Sequence, residues 1–388
     1  MAETGTVYKI GISGSYGGMN LGDEAILQVI VQQLRGSLPV EITVFSHNLE
    51  DTLKRHKVDR AVAVRELTRA EVLPEVQRLD LFILGGGGIL YDSEVPDYLR
   101  EVSIAQELEV PVVVYAVSAG PLQDGSAQQL VRDCLNRAAV VTVRERRARQ
   151  LLEQLGVTNE IHVTADPALL LGPEPLPPGA LETERIASDA RLVGIPVREP
   201  GAAAPDIDEE HYHRLLANSA DYIIDRLDAD LIFVPMERRV LDVQHSHAVI
   251  AQMAHADRAT VLKGEYSPGQ VLSLISHFEL VVGMRLHFLM FAAVQRVPFV
   301  ALPYAGKVTG FLDAFKMPAP PMSKVNAGQL IAHIDRSWDL RAGLRERIGE
   351  TLPELLERAR ETNSFVVRLL TQDGRRGRTI TEEPRMAS

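Results

Sequence analysis

Short apolar runs alternate with helical patterns through the first half of the chain: VYKIGIS, DEAILQVIVQQLRGSL, EITVFS, DLFILGG, SIAQELEV, PVVVYAVSAG, QQLVRDCLNRAA, VVTVRE and ARQLLEQLG. This rhythm predicts repeated strand–helix units and a parallel sheet. The strand candidates LFIL, PVVVYAV and VVTV are apolar at almost every position, as expected of strands covered by helices on both faces. The stretch GPEPLPPG then excludes regular structure, because its prolines remove backbone donors. A second series follows with ARLVGIPVR, DADLIFVPM, ATVLKG, FELVVGM and PFVALPY separated by helical patterns.

The pattern therefore predicts an α/β fold of two doubly wound parallel-sheet domains facing each other across a cleft. The first covers residues 1–172 and the second residues 190–345, with a proline-rich linker at 173–189. Residues 346–372 read as a C-terminal helix, recognisable from about Pro353, that can cross back to the first domain. Residues 373–388 read as a disordered tail.

Size agrees with this division: single cores stop growing at roughly 250–300 residues, and the chain has 388 residues, 46% of them hydrophobic. A formal charge of -11 gives no general attraction for nucleic acid, so an anionic substrate must be captured locally. The single cysteine, Cys134, lies in a helical pattern and reads as a buried structural thiol. No secretory signal pattern opens the sequence, and no uncharged run reaches the roughly 20 residues of a membrane span. A cytoplasmic protein is expected, with contact at the inner face of the cell membrane left open. Histidines such as His245, His247 and His255 show no metal-ligand spacing, so no metal is expected, nor any cofactor. The oligomeric state is not legible.

Four segments carry candidate chemistry. In GISGSYGGMNLGDEAIL a strand ends, glycines follow, and a helix begins near Asp23, which reads as its N-cap. Gly14, Gly17 and Gly18 let backbone amides approach an anion, the helix start adds partial positive charge, and the Asn20 amide suits a sugar hydroxyl; Gly17, Asn20, Gly22 and Asp23 are the loop's candidate acceptor or anion residues. In LFILGGGGILYD a buried strand runs straight into a glycine run containing Gly86 and Gly87, at the strand's carboxyl end where open parallel sheets bind ligands. In VVTVRERRARQLL, Arg144 stands at a strand end and can reach the cleft or pair with Asp166. Arg146, Arg147 and Arg149 read as a solvated helix face. In ELVVGMRLHFLMFAAVQRVPFVALPYAGKV, Arg285 and His287 lie two apart at a strand end, an anion fork beside a group that exchanges protons near neutral pH. Lys307 ends at the same rim.

Taken in order, these segments resemble the polysaccharide pyruvyl transferase family, together with TVRE, DPALLL, GIPVR and GMRLHFLMFAA. The resemblance reaches to about Leu312. It implies a two-domain fold similar to the GT-B glycosyltransferases, phosphoenolpyruvate as donor, and a sugar or lipid-linked glycan as acceptor. It further implies a cleft in which Arg144, Arg198, Arg285 and Lys307 hold the donor and His287 transfers the proton. The chain departs from the family's aspartate–proline before the lysine, having Ala305 and Gly306 there. Two alternatives stay open: a sugar-nucleotide glycosyltransferase of the same fold, and a non-catalytic member that binds a glycan.

Overall fold

The structure is a computed structural model describing residues 7–187, 189–200, 207–237, 241–302, 306–317 and 325–372. The expected tail, linker residue 188 and Ala305 lie outside the described residues. The first sheet contains β1 (Tyr8–Ser13), β2 (Val40–Ser46), β3 (Arg60–Ala63), β4 (Leu81–Leu84), β5 (Gly87–Leu90), β6 (Val112–Ala119), β7 (Val140–Val143) and β8 (Ile161–Val163). Its order is β3-β2-β1-β4-β6-β7-β8, with β5 also paired to β6, and every pairing is parallel. The second sheet contains β9 (Leu192–Ile195), β10 (Asp230–Phe233), β11 (Ala259–Val261), β12 (Phe278–Gly283) and β13 (Phe299–Ala301), ordered β11-β10-β9-β12-β13 and also parallel. The chain thus has the expected two parallel-sheet α/β domains.

The continuously apolar strands have the predicted cause. In β4, Leu81 and Ile83 join one core while Phe82 and Leu84 join another; in β6, Val113 and Tyr115 part in the same way from Val112 and Val114. Period-2 geometry sends alternate residues to opposite faces, and both faces are buried. One core serves both domains: Ile10 and Ile83 of the first sheet belong to the same buried cluster as Val281 and Phe299 of the second. Apolar packing therefore sets how the two domains meet, and with it the geometry of the cleft between them.

The C-terminal helix runs Arg341–Gln372 and carries Pro353 within it. Sequence reading starts it too late, because a proline favours a helix's first turn. Ile348, Leu352, Leu355, Ala359, Val366 and Leu370 join the shared core. Polar contacts tie its later turns to the first domain: Arg358 donates to the Thr164 carbonyl at 2.7 Å, Thr362 to the Thr164 hydroxyl at 2.8 Å, and Asn363 to Ser37 at 2.9 Å. Cys134 is a buried free thiol whose proton affinity is raised by burial. No helix among the described residues is long and apolar enough to cross a membrane.

Ile348 is fully buried in the shared core. Ile348→Ala is expected to cost about 2–5 kcal/mol of stability, measured by denaturant unfolding; a loss below 1 kcal/mol (roughly a surface effect) would show that the helix start does not anchor the domains.

Candidate active site

The first loop is held from behind. The Gly17 N–H donates to Glu24 Oε1 at 2.9 Å, and Glu24 Oε2 meets His56 Nε2 at 2.7 Å with both side chains buried. The helix that follows is Leu21–Ser37, and its cap is Asn20, whose side-chain oxygen accepts from the Gly22 N–H at 3.0 Å. This corrects the expectation of a cap at Asp23. The extended backbone of Asn20 suits an N-cap, which commits its oxygen to the helix and leaves Asp23 in the first turn. Asp23 Oδ1 lies 3.4 Å from where a Cβ on Gly87 would stand. Gly87 itself has φ 103°, a conformation open to glycine and strained for other residues. Gly86 packs beneath it against Ile26.

Arg144 follows β7, and its guanidinium is buried. Nη1 donates to Asp166 Oδ2 at 2.6 Å and Nε to Glu145 Oε2 at 3.2 Å. Asp166 caps the 3-10 turn Pro167–Leu170 through its other oxygen, which accepts from the Ala168 N–H at 2.9 Å. From the second domain, His287 brings Nε2 to 3.7 Å from Asp166 Oδ2, too far for a hydrogen bond. Its other ring nitrogen lies against the first helix, since a Cβ on Gly22 would come within 2.0 Å of Nδ1. Lys307, in the helix Gly306–Ala314, and Arg144 both reach over Gly88: Nζ and Nη2 stand 3.6 and 3.7 Å from a Cβ built there.

These neighbours shift proton affinities in opposite directions. Burial alone would raise Asp166, but Arg144 and then His287 hold its carboxyl well below the usual carboxylate range. Burial pushes the Asp23 carboxyl up, and the pull of His287, Lys307 and Arg144 does not cancel it. Two nearby carboxyls thus part in proton affinity, an arrangement common where protons move.

Arg285 and Arg198 form a second group. Arg285 is the N-cap of the helix Leu286–Val294; its guanidinium pairs with buried Asp242 and, at 3.2 Å, with Glu237. Asp242 also accepts from the Met236 and Glu237 N–H groups at 3.0 Å each. The Arg198 N–H reaches the Tyr212 hydroxyl at 3.4 Å, and Tyr212, raised by burial, feels Asp242, Arg285 and Arg198. The two groups meet at the domain junction, where Asn20 and Glu237 form a backbone bridge and the Leu21 N–H donates to the Met236 carbonyl at 2.8 Å.

Beside Arg144 opens a cavity of about 420 Å³ whose lining sets Arg144, Arg146, Arg147, Lys307 and Arg358 among the carboxylates of Glu145, Asp166, Asp313 and Glu354. Arg146 and Arg147 are exposed as expected, but the face they occupy lines this cavity instead of facing open solvent alone. Arg358 was not legible as a site residue, because only the folded path of the C-terminal helix brings it here. Tyr16 was also missed: its buried hydroxyl lies close to Gly14 and Gly85 without a hydrogen-bond partner in range. Among the described residues, no metal-ligating cluster lines the cavity.

Residues 20–306 match the family described as polysaccharide pyruvyl transferase. The chain belongs to this family. A curated relative is the amylovoran biosynthesis protein AmsJ of Erwinia amylovora, 20% identical over 293 residues that cover 72% of this chain and 70% of that one. Among solved structures, S. aureus MnaA with UDP has a TM-score of 0.66 at 12% identity, covering 97% of this chain and 99% of that one. UDP-GlcNAc 2-epimerase from Neisseria meningitidis gives 0.61 at 9% identity, with 94% and 100% covered, and a Rickettsia africae ESF-5 glycosyltransferase gives 0.61 at 11%, with 95% and 99% covered. At such identities these likenesses establish the GT-B arrangement of this pyruvyl transferase family member and nothing of its ligands.

Gly22 leaves no room for a side chain beside His287. Gly22→Ala is expected to displace the imidazole and lower transferase turnover about 100-fold, the scale of an ångström-sized misplacement. Gly36→Ala, with nothing within 4 Å of the added Cβ, serves as the control. Equal turnover in the two variants would detach His287 from the chemistry.

Proposed function

We propose that this family member transfers the pyruvyl group of phosphoenolpyruvate to a sugar of a cell-surface polysaccharide or its lipid-linked precursor, forming a ketal. The observation that carries this reading is the cavity in which the cations of Arg144, Arg146, Arg147, Lys307 and Arg358 outnumber the carboxylates of Glu145, Asp166, Asp313 and Glu354, with His287 Nε2 3.7 Å from Asp166 at its wall. Two helices that begin at its wall, Arg146–Gln154 and Leu286–Val294, have no side-chain cap bond, so their first-turn N–H groups remain available to an anion. A small polyanion with a carboxylate and a phosphate suits such a corner, and cationic forks would orient it.

The reaction then needs three proton movements. His287 delivers a proton to the methylene carbon of phosphoenolpyruvate, making the neighbouring carbon an oxocarbenium centre. A sugar hydroxyl adds there and gives its proton to Asp23, whose raised proton affinity suits a base at the first domain's edge of the cleft. Phosphate leaves as its bond to carbon breaks, a second hydroxyl of the same sugar closes the ketal, and its proton passes out with phosphate. Lys307 and the arginines stabilise the departing phosphate. Arg198 and Arg285 act at the rim: Arg285, paired with Asp242, holds the second domain's wall against Asn20 of the first loop, where the acceptor enters.

A thermal-shift titration at fixed ionic strength tests donor class. Phosphoenolpyruvate is expected to raise Tm with concentration, as a ligand of the native state must, and His287→Ala is expected to keep this shift while losing about 100-fold or more in turnover. Strong stabilisation by UDP or GDP with none by phosphoenolpyruvate would instead favour a sugar-nucleotide glycosyltransferase.

A further inference from the structure

Away from the residues that line the cavity, two helices of the second domain bring three metal-ligating groups together. Glu209 and His213 stand one turn apart on the helix Glu209–Leu227, and His245 comes from the helix Leu241–Ile250. His213 Nε2 lies 2.8 Å from His245 Nδ1, and Glu209 Oε1 lies 4.0 Å from the same His245 nitrogen. The candidate ligand atoms of all three fall within 4.8 Å of one another. Both imidazoles are buried, at 5% and 8% exposure, whereas Glu209 is exposed at the mouth.

The nitrogen-to-nitrogen contact between the two imidazoles is one hydrogen bond using one proton, and it leaves Glu209 only a loose approach to His245 at 4.0 Å. A single divalent ion would engage all three groups. Imidazole nitrogens at the usual 2.0–2.1 Å from a tetrahedral zinc stand about 3.3 Å apart. Reaching that separation from 2.8 Å requires roughly half an ångström of ring movement, and the exposed Glu209 can swing inward to close the third position. Two nitrogens and one carboxylate suit zinc or a similar borderline ion, and they disfavour calcium and magnesium, which demand oxygen.

We propose that Glu209, His213 and His245 form a transition-metal site, occupied by zinc or a chemically similar divalent ion, that braces one helix against the other. Its consequence would reach the cleft through short covalent steps. His245 lies three residues after Asp242, which holds Arg285 and accepts from the backbone at Met236 and Glu237. That backbone in turn meets Asn20 and Leu21 of the first domain. A metal joining the two helices would therefore stiffen the second domain's wall where it touches the first.

The test uses the full chain, stripped with a chelator that is then removed, and titrates it with Zn²⁺ by calorimetry and thermal shift. The expected result is saturation at one equivalent with a concentration-dependent rise in Tm, and Co²⁺ binding at the same site with a visible ligand-field spectrum. The double variant His213→Asn, His245→Asn should lose binding. Glu209→Gln changes an exposed side chain and should fold normally, yet weaken Zn²⁺ at least about 10–100-fold, the scale that even outer-shell partners of a metal carry. His255→Asn, which removes an exposed imidazole paired with Asp225 at 2.9 Å, should bind as the parent does. Absence of saturable binding at micromolar zinc, or an affinity unchanged in either the double variant or Glu209→Gln, would overturn the proposal and leave a plain histidine–histidine hydrogen bond.

Discussion

The buried ion pair between Arg144 and Asp166 is the contact on which the rest of the cleft depends. Both residues are almost wholly inaccessible, at 7% and 2% exposure, and their charges meet at 2.6 Å. Taking two charges out of water costs several kcal/mol each unless geometry and further hydrogen bonds offset it. Here Glu145 takes a second edge of the guanidinium, and the Ala168 N–H takes the free carboxylate oxygen. The pair thereby fixes the end of β7 to the turn at Pro167. That turn packs against the helix bearing His287 and against the C-terminal helix, which clamps Thr164, two residues before Asp166. Breaking it would strand a buried charge and loosen first-domain, second-domain and C-terminal elements at once.

Around this anchor the usual folding rules are relaxed. Asp23 is a carboxyl held where burial raises its proton affinity, although a neutral side chain would fit the same place at less cost. Tyr16 buries a hydroxyl with no hydrogen-bond partner in range, and His287 Nε2 is in the same position. Buried polar atoms without a partner also occur away from the cleft, at Arg60, Arg65, Gln106 and Asn363; those of Tyr16 and His287 stand beside the glycine loops, and a consistent sequence breaks its own local rules chiefly at functional sites. The Glu24–His56 pair behind the glycine loop is the compensating feature, since it secures the loop without placing a side chain in the cleft.

Much of the fold was legible because burial on both sheet faces leaves a direct mark: strands such as β4 and β6 are apolar at consecutive positions. The glycine run after β4 and the Arg-x-His step after β12 were legible as cleft features, since both follow apolar strands at their carboxyl ends. The cap was misplaced by three residues because Asn20 and Asp23 are both good capping residues, and only backbone geometry selects between them. Arg285 and Arg144 looked alike in sequence, each following a strand; their different partners, Asp242 and Asp166, come from segments 43 and 22 residues away. Arg358 carried no sequence signal at all, as helix periodicity cannot tell which domain a terminal helix will meet.

The most direct measurement follows the carbon skeleton of the donor. Phosphoenolpyruvate labelled with ¹³C at its central carbon would be incubated with the protein and a panel of sugar diols, glycans and lipid-linked precursors, with ¹³C NMR and phosphate release read together. A quaternary ketal carbon is expected on at least one acceptor, with one phosphate released for each ketal formed. Consumption of a sugar nucleotide by the same protein, with no ketal carbon on any acceptor, would contradict pyruvyl transfer.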